Sequence, residues 1–110
     1  MPSYSKFEVV LVTYPFSDST NAKVRPAVVV NTSHVSQDLL IVPLTSKTGG
    51  LLVGEFVLTA WKKTGLNLET AVKRGLYTVK ETLVNKRIGI LEEADAERLE
   101  QSLREWLGLP

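Results

Sequence analysis

The chain is expected to be mainly β in the α+β sense: a small antiparallel β-barrel with a C-terminal amphipathic helix. Three observations predict it. Short runs of β-branched and aromatic residues fill the first 91 positions, separated by clusters of turn-forming residues. Two of those runs are nearly continuous in apolar residues, as in strands buried on both faces or closed into a barrel. Apolar spacing turns helical only at the end, and strands followed by one helix argue for a barrel with a packed helix.

Residues 7–14 read as the first strand, and residues 15–22, rich in Ser, Asn and Thr, as a loop. Residues 24–31 and 39–44 are the two apolar runs. After the break at Lys47, Thr48, Gly49 and Gly50, residues 52–58 read as a fourth strand carrying Glu55. Gly65 marks a turn, and residues 70–72, 76–79 and 87–91 read as further short strands. Ala96, Leu99, Leu103, Trp106 and Leu107 then recur at helical spacing, with Glu100 and Arg104 as an i,i+4 pair and Gly108 placed to end the helix. Glu92, Glu93 and Asp95 suit the positive end of its dipole.

At 110 residues, 44% hydrophobic and 23% charged, the whole chain (1–110) reads as one globular domain. With no cysteine, it has neither disulfides nor a thiolate metal site. The first residues lack a signal-peptide pattern and no segment is long enough to span a bilayer, so a cytoplasmic protein is expected. The net charge of +1 hides an asymmetry. Residues 1–91 hold eleven Lys or Arg against six Asp or Glu, whereas residues 92–110 hold two against six. The densest cations lie between Lys62 and Arg87, a patch that would attract a polyanion or simply keep a solvated face.

Two strand ends carry the candidate chemistry. Arg25 precedes Pro26, which holds its backbone extended and lets the scaffold aim the guanidinium. Thr45 and Ser46 leave the run 39–44 in the same way. A fork of cationic donors near two hydroxyls suits a phosphate, because the planar guanidinium grips two oxygens at once. The same pattern also fits an Arg that is only a surface charge. His34, the one histidine, lies among polar residues and reads as an exposed loop side chain; without carboxylates beside it, it makes no metal site.

The order of these motifs resembles the MazF/PemK family, the toxin half of bacterial type II toxin–antitoxin pairs and mostly sequence-specific endoribonucleases. The matching pieces are Val9 to Val12 with Tyr14 to Asp18, Lys23 to Val30, Val42 to Ser46, Gly65-Leu66, Thr70 to Lys73, Leu76 to Val79 and Lys86 to Leu91. The resemblance implies an SH3-like barrel, a homodimer, an antitoxin partner, and metal-independent, cofactor-free cleavage of single-stranded RNA. It places Arg25 and Thr45 as catalytic and gives Lys73 a part beside them, at the adjacent phosphate or the leaving oxygen. The chain departs from the family at Phe7-Glu8, where Gly-Asp or Gly-Glu is usual, and at Gly75, where some members carry an aspartate assigned to proton transfer.

Cleavage of this kind uses the ribose 2′-hydroxyl as nucleophile and gathers charge on the phosphoryl oxygens, so donors around that charge are what the site must supply. Arg25, Thr45, Ser46 and Lys73 are the candidates, and the expected ends are a 2′,3′-cyclic phosphate and a 5′-hydroxyl. Glu8, Asp18 and Glu55 are the carboxylates near the motifs that could serve as base or contact the substrate, Glu55 first among them. Phe16 leads the aromatics able to stack on a base, ahead of Tyr77 and Trp61; Trp106 and Phe56 read as core. Two alternatives remain open at this point: a toxin of the same fold that binds a protein target such as gyrase, or a nucleic-acid-binding module that cuts nothing.

Overall fold

The computed structural model describes residues 4–14, 23–32 and 34–110. The loop expected at 15–22, with Phe16 and Asp18, lies outside the described residues. The strands are β1 (Glu8–Tyr14), β2 (Lys23–Val29), β3 (Asp38–Thr45), β4 (Phe56–Val57), β5 (Ala71–Val72), β6 (Tyr77–Lys80) and β7 (Val84–Ile90). The α-helices are the single turn α1 (Trp61–Thr64) and α2 (Glu93–Leu107), and a 3-10 turn spans Glu81–Leu83. Every strand pair is antiparallel, in the order β4-β5-β3-β2-β1-β7 with β6 also on β3.

β3 organises the sheet. One edge pairs with β2 through Ile41 to Pro43. The other edge is shared, with β6 along Asp38 to Ile41 and β5 along Leu44 and Thr45. Between the two, the Pro43 carbonyl accepts the Lys73 amide at 3.0 Å. Proline is tolerated inside this ladder because an acceptor is all that this position has to offer.

Strand alternation sends successive side chains to opposite faces, and both faces are buried. Val9, Val28, Val42, Leu44, Phe56 and Val72 join Leu99 and Ala96 of α2 in one core. Val10, Val12, Ala27, Val29, Ile41 and Val79 form the second. This double burial is why β2 and β3 read as nearly unbroken apolar runs. The sheet also curls. The rings of Tyr14 on β1 and Tyr77 on β6 meet edge to face at 5.4 Å. On a flat sheet three strand spacings would hold them about 14 Å apart.

The structure corrects several expectations. The sheet is barrel-like, as expected, though not fully closed: among the described residues β4, β6 and β7 each pair with one strand only. The strand expected at 52–58 shrinks to Phe56–Val57. Gly54 takes a left-handed φ of 86° there, Trp106 Nε1 donates to the Val53 carbonyl at 3.0 Å, and Ser102 Oγ donates to that of Gly54 at 2.7 Å. Those bonds tie the segment to α2 and away from a ladder. α1 was not anticipated, and it ends at Gly65 with φ 103°.

The C-terminal helix closes as its sequence implies. Gly108 is left-handed, and the Leu109 amide reaches back to the Arg104 carbonyl at 2.8 Å, a Schellman-type end. Leu107 is half exposed rather than packed. Phe7 holds a left-handed φ of 74°, a conformation that favours glycine. That backbone costs an L-residue roughly 1–2 kcal/mol. It is held from both sides, by the Phe7 amide on the Val29 carbonyl at 2.6 Å and the Leu91 amide on the Phe7 carbonyl at 2.9 Å.

Candidate active site

Arg25 and Thr45 come together. The β2–β3 ladder pairs Ala27 with Pro43, and the same register continued two residues further sets Arg25 opposite Thr45. Both line an open cleft of about 280 Å³, with Pro26, Leu44, Ser46 and Lys47 on the strand side and residues 66–68 and Thr70 across it. The Thr48 hydroxyl bonds Glu69 at 3.2 Å and ties the two rims together. Ser46 is exposed at the same mouth.

The state of each group suits an anion. Arg25 is exposed, and among the described residues its guanidinium has no ion pair or hydrogen-bond partner. Thr45 Oγ1 accepts the Lys47 amide at 3.1 Å, which fixes the hydroxyl oxygen and leaves its proton to donate. Lys47 adds a second cation to the lining.

Lys73 and Glu55 do not line this cleft. Thr45 pairs with Ala71, while the Lys73 amide bonds Pro43, so Lys73 sits two positions along β3 from Thr45, about 7 Å away along the strand and on the same alternate face. Glu55 Oε1 accepts the Leu52 amide at 2.7 Å and Oε2 the Arg74 amide at 2.8 Å. Burial pushes its carboxyl pKa up, but those two amides and the charges of Lys73 and Arg74 outweigh it and leave the value lowered. A carboxylate held this way is a weak proton acceptor.

Glu8 is likewise committed, accepting the Ser5 amide at 2.6 Å and pairing with Arg87 at 2.5 Å. At Gly75 a Cβ would meet the Tyr77 ring at 2.8 Å and the Pro43 ring at 3.3 Å, so a larger residue there would require those rings to shift. Tyr77 packs on the second core and on Tyr14, and Trp61 on the first core beneath the Lys62 ammonium. His34 is exposed in a local turn, its Nδ1 2.8 Å from Ser36 Oγ. Among the described residues no three His, Asp or Glu side chains gather as metal ligands, and no helix is long and apolar enough to cross a membrane.

One functional element was missed from sequence, the loop after α1 that forms the far wall of the cleft. Asp95, almost wholly buried on α2, accepts the Thr59 amide at 3.0 Å, the Thr59 hydroxyl at 2.9 Å and the Ala60 amide at 3.1 Å. It therefore anchors the start of α1. Its signal in the sequence was only that of an acidic residue in a first helical turn.

A curled antiparallel sheet with one C-terminal helix, and a cationic, hydroxyl-bearing cleft at the β2–β3 end, defines a class of small β-proteins. The profile of the PemK-like, MazF-like toxins of type II toxin–antitoxin systems matches residues 5–107, and the chain belongs to that family. Solved structures share the fold. A MazF from Deinococcus radiodurans is similar at TM-score 0.79 and 16% identity, covering 99% of this chain and 100% of its own. An endoribonuclease in complex with its cognate antitoxin, from a mycobacterial species, is similar at 0.71 and 18%, covering 100% and 98%. The Mycobacterium tuberculosis toxin MazF-mt6 is similar at 0.71 and 19%, covering 92% and 97%. No curated protein matches the chain significantly in sequence.

Proposed function

We propose that this chain is a toxin endoribonuclease that cuts single-stranded RNA at a short sequence, without metal, and is held in check by a cognate antitoxin. The observation that carries the reading is the meeting of Arg25 and Thr45 from two strands in one cleft. Membership of the toxin family and the fold shared with structures described as endoribonucleases support it.

In this reading the scissile phosphate lies in the cleft. The Arg25 fork holds two phosphoryl oxygens and the Thr45 hydroxyl donates to the charge that grows as the 2′-oxygen attacks. Ser46 and Lys47 steady the strand at the mouth. Lys73 meets a neighbouring phosphate. Glu55 acts at one remove, holding the backbone at Arg74 and so the placement of Lys73. The 2′-oxygen attacks as its proton passes to water, the P–O5′ bond breaks, and the departing 5′-oxygen takes a proton from water, which leaves a 2′,3′-cyclic phosphate and a 5′-hydroxyl. Two subunits build the full RNA groove. An acidic, disordered antitoxin segment competes for the same cations.

Incubation with mixed RNA, followed by analysis of fragment ends, tests the reading. Cleavage with 5′-hydroxyl ends, abolished in Arg25→Ala, is expected. Intact RNA after prolonged incubation with folded protein overturns it.

A further inference from the structure

The geometry points to a second nucleotide subsite beyond the Arg25–Thr45 cleft, a nucleobase slot in which Asn67 reads a base edge and Lys86 holds the phosphate next to it. The inference rests on the endoribonuclease reading and adds where sequence is read. A second cleft, of about 250 Å³, is lined by Leu11, Pro26, Leu66, Asn67, Lys86 and Ile88. It shares Pro26, Leu66 and Asn67 with the first, so the two are halves of one trough.

The floor of that trough follows from register. Leu11 pairs with Pro26 on one side and Lys86 on the other, and the β2–β3 register continued past its last pair sets Pro26 opposite Leu44. Leu44, Pro26, Leu11 and Lys86 thus form one row across four strands. The row is about 14 Å long at three strand spacings. Successive phosphates of a stacked strand advance only about 3.4 Å, so more than one nucleotide fits.

The roof is the loop after α1. Gly65 presses so close to β7 that a Cβ there would stand 3.0 Å from the Ile88 carbonyl oxygen, and the Leu66 amide bonds the Trp61 carbonyl at 3.1 Å. Asn67 follows, exposed at the junction of the two clefts, its side-chain amide without a partner among the described residues. An amide carries both donor and acceptor, which a base edge requires, and the apolar walls of Leu11, Pro26, Leu66 and Ile88 suit the face of a base. Lys86, exposed and without an ion pair among the described residues, ends the row with a point charge for phosphate.

The test compares wild type, Asn67→Ala and Lys86→Ala, after thermal melting has shown all three folded. Each cuts a random-sequence RNA pool, and the ends are sequenced. Binding to an oligonucleotide of the wild-type site, with 2′-deoxyribose at the cut position, is then measured against salt. Asn67→Ala should lose about tenfold of the discrimination at one position beside the cut and keep it elsewhere. Lys86→Ala should keep the preference and lower the slope of log affinity against log salt by about 0.7. Unaltered preference and slope in folded variants overturn the inference alone. So does loss of binding to an acidic antitoxin peptide with RNA preference and slope intact, which would make the slot a peptide site. A wild type that cuts no RNA overturns the endoribonuclease reading, and this inference with it.

Discussion

Glu55 reaches across 19 residues to accept the Arg74 amide at 2.8 Å on one carboxylate oxygen, while its other oxygen takes the Leu52 amide at 2.7 Å. Burial works against the ionised form, but the amides and the neighbouring Lys73 and Arg74 charges prevail, and the pKa lies below the ordinary 4.5. The fold therefore favours the carboxylate. Its contribution to stability is present above the ordinary value and is lost as pH falls through the depressed folded value. Melting temperatures of wild type and Glu55→Gln should differ at neutral pH and converge in acid, as pH falls through the depressed folded value. A gap that widens toward acid would refute this account.

Arg25→Ala should lower cleavage by about 10²–10³-fold or more, the scale of losing a transition-state donor, with melting shifted by no more than a few degrees. Arg25→Lys should recover little, because a point charge cannot grip two oxygens. A chelator should leave the wild-type rate unchanged. Normal cleavage by the alanine variant would remove Arg25 from the site.

Thr45→Val keeps the shape and removes the hydroxyl. It should cost less than Arg25→Ala but far more than Thr78→Val, an exposed threonine on β6. Thr59 makes a poor control, since its hydroxyl bonds Asp95. Equal rates for the Thr45 and Thr78 variants would show the hydroxyl to be idle.

Leu99 is fully buried where α2 meets the first core. Leu99→Ala should destabilise the protein by about 2–5 kcal/mol in denaturant unfolding, by lost transfer energy and the cavity left behind. Cleavage per folded molecule should persist, since Leu99 lies outside the cleft. A change below about 0.5 kcal/mol would mean that the helix does not pack as described.

The sheet leaves β4, β6 and β7 as ends among the described residues, and Leu52, Val53, Leu107 and Leu109 are exposed on or beside the α2 side. Such surfaces favour pairing of subunits. Light scattering should report about twice 12.2 kDa at micromolar concentration. A strict monomer would count against a two-subunit groove.

Local pattern in the chain was enough to locate β1, β2, β3 and α2, because each carries its own signal: β-branched runs buried on both faces, and apolar positions at helical spacing ended by Gly108. Arg25 was legible as a strand-end residue before Pro26, and Thr45 as the hydroxyl that ends the strand containing Pro43. What put them in one cleft is the β2–β3 register, a long-range pairing that no local window contains. The same holds for the fate of Glu55, which the sequence offers as a free carboxylate and the fold spends on two backbone amides. The apolar run from Leu52 reads as strand, yet Trp106 and Ser102 claim the Val53 and Gly54 carbonyls from α2, and these tertiary hydrogen bonds outweigh so short a preference. Composition, periodicity and motif order thus determined the fold class and the family. The tertiary structure decided which charges are free, which are committed, and where the trough runs, since those depend on distances between residues far apart in the chain.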